Sequence, residues 1–590
     1  MVSVQMSIRG WFVGRSRLLA FSALTILITV GTVLAASTLY RYGRIPLPIK
    51  GLGIPAADYV EPREEKELGH LGPFTKWSKV EIPLHGPAAD ARDEEDNPFQ
   101  IRVDVTFTGP TGQSLTVPAF YDGDGQGGDA GNVWKVRFAP DASGNWRFSS
   151  ASSHPQLAGY SGAFQVTEPV GCRPYQPGDL PDLTCSGFLH YEEGQHYLKF
   201  SNGDYWLKGG IDDPENFLGR AFGGWAEKRE AIDFLRDHGV NSIYFVANNI
   251  RPGDRNDTWP WLGDRAAEAK EQSDRFNVAR LQQWESFFTY VQKQGIVLHF
   301  VLADDSAWHD FDHYLYYREM VARFAHHPAL IWNIGEEANE IYSDSQAIKL
   351  AQMLRQLDPY DHPITVHRKP RWPFLGNQAF DLTSIQAGDG ASDLSTVERL
   401  DLNRIVADHR RRSADAGHPI PVMIDETPRV AEVNERTRYM VRSHILYPIY
   451  LAGGNYELHY FDAYGQGGDV TLEALTPMLQ EMHHLRRFLE QLPFQEMAPC
   501  NELISPEKSA YCFGKAGDLY AVYSASGEPF ELDFRGVQGE VSLQWFNPQT
   551  AVFADPLTLT MDGGQRLWLS PPQGKEVAAV LKTSGSNFNQ

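Results

Sequence analysis

Hydrophobic positions along this chain follow three different patterns in four successive stretches. Leu18 to Tyr40 is continuously apolar or small and carries no charge. From about Lys76 to Thr167, apolar and polar residues alternate in short runs, as in Ile101-Arg102-Val103-Asp104-Val105-Thr106-Phe107 and Val133-Trp134-Lys135-Val136-Arg137-Phe138. Strand side chains point to opposite faces in turn, so this period of two, broken by Gly, Asp and Pro turns, predicts a β-sandwich. After Cys185 the period lengthens. Leu281, Trp284, Phe288 and Val291 recur at helical spacing, Gly295 stops the helix, and a wholly apolar run from Ile296 to Leu302 follows;. From about Pro493 to Lys582 alternation returns, as in Leu519-Tyr520-Ala521-Val522-Tyr523 and Val541-Ser542-Leu543-Gln544-Trp545-Phe546, which predicts a second, smaller β-sandwich;.

The middle stretch repeats one unit: helix, breaker, short apolar run, polar end. Gly239 precedes Val240–Val246 and Asn248-Asn249; Gly295 precedes Ile296–Leu302 and Asp304-Asp305; Pro328 precedes Ala329–Ile334 and Glu336-Glu337. Pro363 precedes Ile364–Val366 and His367; Asp381–Ile385 leads to Gln386; Pro421 precedes Val422–Ile424 and Asp425-Glu426; Asn455–Tyr460 leads to Asp462. With Tyr205-Trp206-Leu207-Lys208 as the opening strand the count reaches eight. Eight apolar strands alternating with helices predict a parallel (β/α)8 (TIM) barrel. A doubly wound sheet would want a GxGxxG turn after its first strand, which Gly209-Gly210 does not supply;.

The expected organisation is therefore multi-domain: a central (β/α)8 barrel at 186–490, an N-terminal β-sandwich at 72–170 and a smaller C-terminal β-sandwich at 493–583. Residues 43–71, Pro-rich and then charged, read as a linker. Residues 1–42 read as a membrane anchor: Arg9, Arg15 and Arg17 precede the apolar stretch, Arg41 and Arg44 follow it, and a spanning helix needs ~20 residues;. That orientation makes a single-pass protein of the cell membrane with its bulk outside. The alternative is a signal peptide cleaved after Val33-Leu34-Ala35, leaving a secreted or periplasmic protein;. The four cysteines fall into two close pairs, Cys172 with Cys185 and Cys500 with Cys512, as local disulfides of an oxidising compartment would;. A net charge of −22 argues against nucleic acid, whose phosphates need a basic footprint;. Neither cysteine pair has zinc spacing, and P-loop, metalloprotease and Gly-x-Ser-x-Gly motifs are missing, so no metal or cofactor is expected;. The run Tyr121–Asp129, rich in Asp and Gly, lacks EF-hand spacing and reads as a turn;. Oligomeric state is not legible.

Barrel chemistry sits at the C-terminal strand ends, and there the polar residues collect. Buried strands do not end in adjacent acids by default, because desolvating a carboxylate is costly. Glu336-Glu337 end the fourth predicted strand and Asp425-Glu426 the seventh. Glycoside hydrolysis needs two carboxyl groups flanking one bond, one protonated and one ionised. Glu337 and Glu426 are the candidate catalytic pair, with Glu336 and Asp425 in support. Asn248, Asn249, Asp304, Asp305, His367 and Gln386 are candidate sugar-binding or orienting groups. Trp308, Tyr460 and Trp261 are candidate stacking platforms, as is Trp206, for which a place in the core is almost as good a reading. Trp259-Pro260-Trp261 lies in a long insertion after the second strand, where binding residues concentrate;.

Trp332-Asn333-Ile334-Gly335-Glu336-Glu337 resembles the strand-four motif of clan A glycoside hydrolases, Trp-x-Leu-Gly-Asn-Glu. The resemblance puts the acid/base on Glu337 and the nucleophile on Glu426, with Glu336 in place of the clan's sugar-binding Asn. Phe138-Ala139-Pro140-Asp141-Ala142-Ser143-Gly144-Asn145-Trp146 resembles the signature of a domain of unknown function that precedes such barrels in a bacterial family. Trp545-Phe546-Asn547-Pro548-Gln549-Thr550 resembles the C-terminal β-domain of the same family, named for collagen binding. The resemblance implies a retaining glycoside hydrolase acting on an extracytoplasmic poly- or oligosaccharide by double displacement. The alternative is a non-catalytic glycan-binding surface protein on the same fold, which Glu336 in place of Asn keeps open.

Overall fold

The structure, a computed structural model, describes residues 49–583 apart from 213–216, 220–222, 251–257, 305–307, 370, 391, 461–469, 508 and 573–575. The expected membrane segment, Asp305 and Asp462 lie outside the described residues. Among those described, no helix is long and apolar enough to cross a membrane.

The centre is one parallel sheet of nine strand segments. In spatial order they are Ile364–Thr365, Leu330–Asn333, Val297–Val301, Ser242–Val246, Gly209–Asp212, Gly454–His459, Val422–Glu426, Ser384–Gln386 and His367–Arg368. The two outermost segments are separated in sequence only by Val366, so the sheet curls round into a nearly closed barrel. Alternation sorts its side chains. Leu298 and Phe300 join the large core shared with the surrounding helices, while Val297 packs inward beside Ile331, Leu382 and Met423.

The opening strand differs from expectation. Tyr205–Trp206 pairs antiparallel with Leu198–Phe200, which pairs with Leu189–His190. This small sheet packs Leu189, Leu198, Phe200 and Trp206 against Val297, Ala329, Ile331 and Met423, closing the N-terminal mouth of the barrel. The first barrel strand is Gly209–Asp212, four residues later; Gly210 allows close approach, since a Cβ there would lie 2.5 Å from the Glu457 Cγ. Trp206 is thus a plug residue and no sugar platform.

On the N-terminal side, five strands (Lys66–Thr75, Tyr160–Thr167, Gly144–Ser152, Val103–Thr108, Ser114–Pro118) face three (Val80–Asp90, Ala130–Phe138, Phe120–Tyr121). Phe107 of one sheet stacks on Phe138 of the other at 4.1 Å. Strand begins at Lys66, inside the stretch read as linker, and Tyr59 donates to Asp104 just before it. This unit is clamped to the barrel by buried charge. Glu285 meets Lys79 at 2.9 Å and Arg137 at 3.3 Å, and also His326 and His327 at 3.2 Å each. Burial opposes the Glu285 charge, but Arg137 and the two histidines hold its pKa well below the usual value.

On the C-terminal side a larger sheet built on Leu519–Ser524, Gln538–Asn547 and Val577–Thr583 lies against the barrel helices, with Tyr447 stacked on Tyr523 at 3.8 Å and Phe488 beside Phe546 at 4.8 Å. A three-stranded sheet covers its other face. Both expected disulfides, Cys172–Cys185 and Cys500–Cys512, are present.

Candidate active site

Two local devices deliver the carboxylates. At the end of Leu330–Asn333, the Asn333 Oδ1 accepts from the backbone N–H of Gly335 at 3.2 Å and of His367 at 3.1 Å. That side chain ties one strand end to the next and turns the chain so that Glu336 N–H reaches the Ala303 carbonyl at 2.7 Å. Glu337 follows in the left-handed region, φ 33°, and opens a short 3-10 turn. A non-glycine residue held there carries strain of the kind that collects at functional sites.

At Val422–Glu426 the device is a β-bulge. The pairing steps from Ile385↔Ile424 to Gln386↔Glu426, one residue on one strand against two on the other. In a regular strand Asp425 and Glu426 would point to opposite faces; an extra residue re-aims a side chain. The bulge lets Asp425 reach Lys208 inside the barrel while Glu426 meets Gln386 and His367 at the rim.

Glu336, His367 and Glu426 converge. Each offers one oxygen or nitrogen within 4.8 Å of the others, and all three are buried. His367 Nδ1 lies 2.6 Å from Glu336 Oε1, its Nε2 3.8 Å from Glu426 Oε2, and Tyr244 donates to the other Glu336 oxygen. The Glu337 N–H also donates to His367 Nδ1, at 3.3 Å. A nitrogen that accepts from Glu337 cannot at the same time donate to Glu336, so these contacts fit best with the proton on the Glu336 carboxyl. Electrostatics agrees: burial first, then the charges of Glu337, Asp425 and Glu457, push the Glu336 pKa well above the usual carboxylate range. Burial and the Glu336 charge push Glu426 up to about 8, although Gln386 donates to it at 2.6 Å. Glu337 turns to the more open side, where Lys369 holds it at 2.7 Å; its pKa is raised by burial and pulled back by that lysine. Gly390 closes over Glu426: a Cβ there would lie 1.6 Å from its Oε1.

Beneath the rim lies a fully buried ionic layer. Lys208 Nζ is 2.8 Å from Asp425, 3.0 Å from Glu457 and 3.1 Å from His299 Nδ1. Burial works against the lysine charge, yet the two carboxylates outweigh it and hold its pKa above the usual value. Burial and the adjacent Lys208 keep His299 well below its usual pKa, hence neutral. Its Nε2 partners Asn333 at 3.1 Å, which links this layer to the strand end bearing Glu336. Asp425, Glu457 and His299 have metal-like spacing, but the Lys208 ammonium already sits among them. The rim group Glu336–His367–Glu426 could hold a divalent cation by spacing alone.

The remaining candidates divide. Gln386 and His367 touch the carboxylates, as above. Asn248, Asn249, Asp304 and Tyr460 are buried at strand ends of the same mouth; Asp304 N–H bonds to the Asn248 carbonyl at 2.9 Å, and Asn249 bridges to Thr258. Trp261 is 0% exposed, wedged against Trp308, Phe311 and Tyr316, so it is a core residue that supports its loop and offers no sugar platform. Trp308 keeps partial exposure, with Lys270 5.6 Å over its ring. Asp212 was missed in the sequence because the first strand was placed four residues early. It ends that strand 2% exposed, with its pKa raised well above the usual range by burial, then by Glu336, Glu457 and Glu426. Tyr244, Lys208 and His299 sit inside apolar runs and gave no signal as site residues.

Known proteins define the class of fold. Residues 73–153 match a family described as a domain of unknown function, DUF5060. No curated protein matches the sequence. Among solved structures, a candidate glycoside hydrolase from Bacteroides vulgatus superposes with a TM-score of 0.64 at 16% identity, over 88% of this chain and 100% of its own. A glycoside hydrolase family 5 protein from the same organism gives 0.53 at 16% identity, over 71% and 97%. Another structure, named simply glycoside hydrolase, gives 0.54 at 18% identity, over 70% and 100%. This chain has the fold of those glycoside hydrolases: a nearly closed parallel barrel with β-rich units beside it.

Proposed function

We propose that this protein is a retaining glycoside hydrolase acting on an extracytoplasmic poly- or oligosaccharide. The two barrel segments around Val366 are one interrupted strand in this reading, which makes an eight-stranded (β/α)8 barrel with a β-sandwich at 72–170 and another at 493–583. The observation that carries the proposal is the convergence of strand-end carboxyl groups on His367, with oxygens of Glu336 and Glu426 within 4.8 Å of each other. Retaining enzymes hold their two carboxyl groups ~5–5.5 Å apart and inverting enzymes leave ~6.5–9.5 Å for a water; the short contact here joins Glu336 to Glu426 and is separate from the spacing of Glu337 and Glu426. Glu426 is the nucleophile: in its ionised form, which burial disfavours below about pH 8, it attacks the anomeric carbon, and the glycosidic C–O bond breaks as the leaving oxygen takes a proton. Glu337 is the acid/base, as the resemblance implies, and its partial exposure behind a displaceable Lys369 suits a group that must meet the leaving sugar. Water then cleaves the glycosyl–enzyme ester with the same residue as base. One set of contacts favours a second assignment within the same reaction: Glu336 shares His367 Nδ1 with the Glu337 N–H, which fits a protonated Glu336 beside Glu426, so Glu336 would donate the proton and Glu337 would bind sugar.

The two disulfides support an exported barrel, with residues 1–42 as its anchor or signal segment. The test is a screen of the protein against polysaccharides and aryl glycosides, followed by Glu426→Gln, Glu337→Gln and Glu336→Gln. Loss of the nucleophile should abolish turnover of every substrate. Loss of the acid should spare substrates with good leaving groups, and whichever of Glu337→Gln and Glu336→Gln shows that pattern identifies the acid. Activity that survives Glu426→Gln removes the assignment. Glycan binding without any cleavage makes the protein the non-catalytic binder.

A further inference from the structure

The Asp- and Gly-rich turn from Tyr121 to Asp129 plays no part in the catalytic reading, and it is no cation loop. Asp122 is committed to Lys135 at 2.8 Å and Arg323 at 3.4 Å. Asp124 folds back on its own backbone, accepting from Gln126 N–H at 2.7 Å and Gly128 N–H at 2.9 Å, and Lys135 ties down the Gly125 carbonyl at 2.9 Å. Gly123, Gly125 and Gly127 all have positive φ, which side-chain-bearing residues rarely adopt;. The result is a rigid finger, and its tip lies against the barrel: a Cβ on Gly127 would meet the Gln282 Oε1 at 2.5 Å.

Finger and barrel enclose a groove of about 380 Å³ in the seam between the DUF5060-matching unit and helices Trp225–Asp237 and Val278–Lys293. Trp225, half-buried, forms one wall; Gln126, Gln282, Gln283, Ser286 and Arg229 supply the polar groups. The Trp225 indole N–H donates to Gln283 Oε1 at 3.2 Å, and Phe287 lies 5.4 Å from the ring, so the platform is fixed. Trp225 and Gln283 also line a second cavity of about 260 Å³ that reaches Gly223, Gly224 and Thr258, in the loops that follow the first two barrel strands. The two cavities thus share a wall at Trp225 and Gln283, one in the seam and the other among the loops that follow the first two barrel strands.

We propose that this groove is a binding site for a neutral polysaccharide, remote from the carboxylates and formed jointly by the DUF5060 unit and the barrel. Its chemistry selects that ligand. An aromatic face matches the C–H face of a pyranose. Three amides and a hydroxyl both donate and accept, as sugar hydroxyls do, whereas a polyanion calls for donors alone. The groove volume falls in the range of small-ligand sites, ~300–1,000 Å³. The occupant rests on the glycosidase reading; the groove itself does not.

The test is affinity electrophoresis of the full-length protein in gels containing galactomannan, xyloglucan or mixed-linkage glucan, with alginate as the polyanionic control. All variants carry Glu426→Gln so that no polymer is cleaved. At least one neutral polymer should retard the parent and alginate should not. Adding Trp225→Ala should weaken retardation about tenfold, as loss of an aromatic contact does. Adding Gln126→Ala, at an exposed turn tip, should weaken it by a smaller factor with an unchanged melting temperature, which excludes misfolding as the cause. Retardation equal to the parent in both variants, retardation by alginate alone, or none by any neutral polymer overturns the proposal. If the wild-type protein cleaves no glycoside in the activity screen while the variants show these losses, the result supports the groove and counts only against the glycosidase reading.

Discussion

Glu426 offers a stability experiment that needs no substrate. In the folded protein its pKa is pushed up to about 8, chiefly by burial and then by the Glu336 charge, from an ordinary value of 4.5. Between those two pH values the folded state holds a proton that the unfolded chain has released. Stability therefore falls as pH rises through that window: the contribution is fully present below 4.5 and gone above about 8;. At 1.36 kcal/mol per pH unit the displacement is worth at most ~5 kcal/mol. Neighbouring carboxyls take up part of the proton sharing, so ~2–3 kcal/mol is the expected net effect. Glu426→Gln removes the titration while keeping an oxygen for the Gln386 amide, now 2.6 Å away. Thermal melts of both proteins at pH 4.5 and pH 9 are the assay. The variant should match the wild type at pH 4.5 and exceed it at pH 9, by about 5 °C for a barrel of this size. Equal melting temperatures at pH 9, or a less stable variant, would refute the raised pKa and with it the claim that this carboxyl is held at a cost to the fold.

Three further predictions use other contacts of the site and the seam. Gly390→Ala places a Cβ where Glu426 Oε1 sits, so in the active enzyme kcat should fall ~100-fold, as for other displacements of about an ångström, while the melting temperature stays within a few degrees;. Lys208→Met strips the buried cation from Asp425 and Glu457; unfolding in urea at pH 7 should show a loss of ~3–5 kcal/mol, smaller at pH 5 where the orphaned carboxyls take up protons;. Glu285→Gln removes the carboxylate through which buried Arg137 reaches across the seam and leaves it paired only with Glu81 of its own unit at 2.8 Å, so limited proteolysis should release the N-terminal β-unit from the barrel faster than in the wild type, and an unchanged cleavage pattern would show that the seam is held by its apolar contacts instead;.

How much of this was legible in the sequence depends on what each residue's neighbours are. Period-two and period-3.6 patterns are local, so the alternating units and the apolar barrel runs could be read directly, and Glu336-Glu337 and Asp425-Glu426 stood out because acids end apolar runs. The first strand was misplaced for a physical reason. Tyr205-Trp206-Leu207 is more strand-like by composition than Gly209-Gly210-Ile211, but the glycines are what let neighbouring strands close in, and Glu457 fills the space a side chain would need. That slip hid Asp212. Trp261 was misread because a loop tryptophan looks like a platform until the aromatic residues that bury it, all more than forty positions on, are known to surround it. Lys208, Tyr244 and His299 are polar residues embedded in apolar runs, and only the closed barrel brings them under the rim.

The charge layer also bears on what the carboxyls can do. Asp212, Glu336, Asp425, Glu426 and Glu457 are each less than a tenth exposed, and the only lysine or arginine among the described groups they share a layer with is Lys208, paired with two of them. Ionising all five would bury several uncompensated charges, each costing more than a shared proton does. Full ionisation is therefore resisted near neutral pH, and at least one proton stays in the cluster before substrate arrives. The contacts to His367 fit the proton on Glu336, which shares the ring Nδ1 with the Glu337 N–H while the opposite nitrogen, Nε2, faces Glu426. The double displacement proposed for this protein asks two carboxyl groups for one proton and one charge. A cluster that resists losing its last proton fits that demand of the proposed reaction, and the bulge at Asp425 is what allows one strand to feed both the buried pair with Lys208 and the Glu426 carboxyl at the rim.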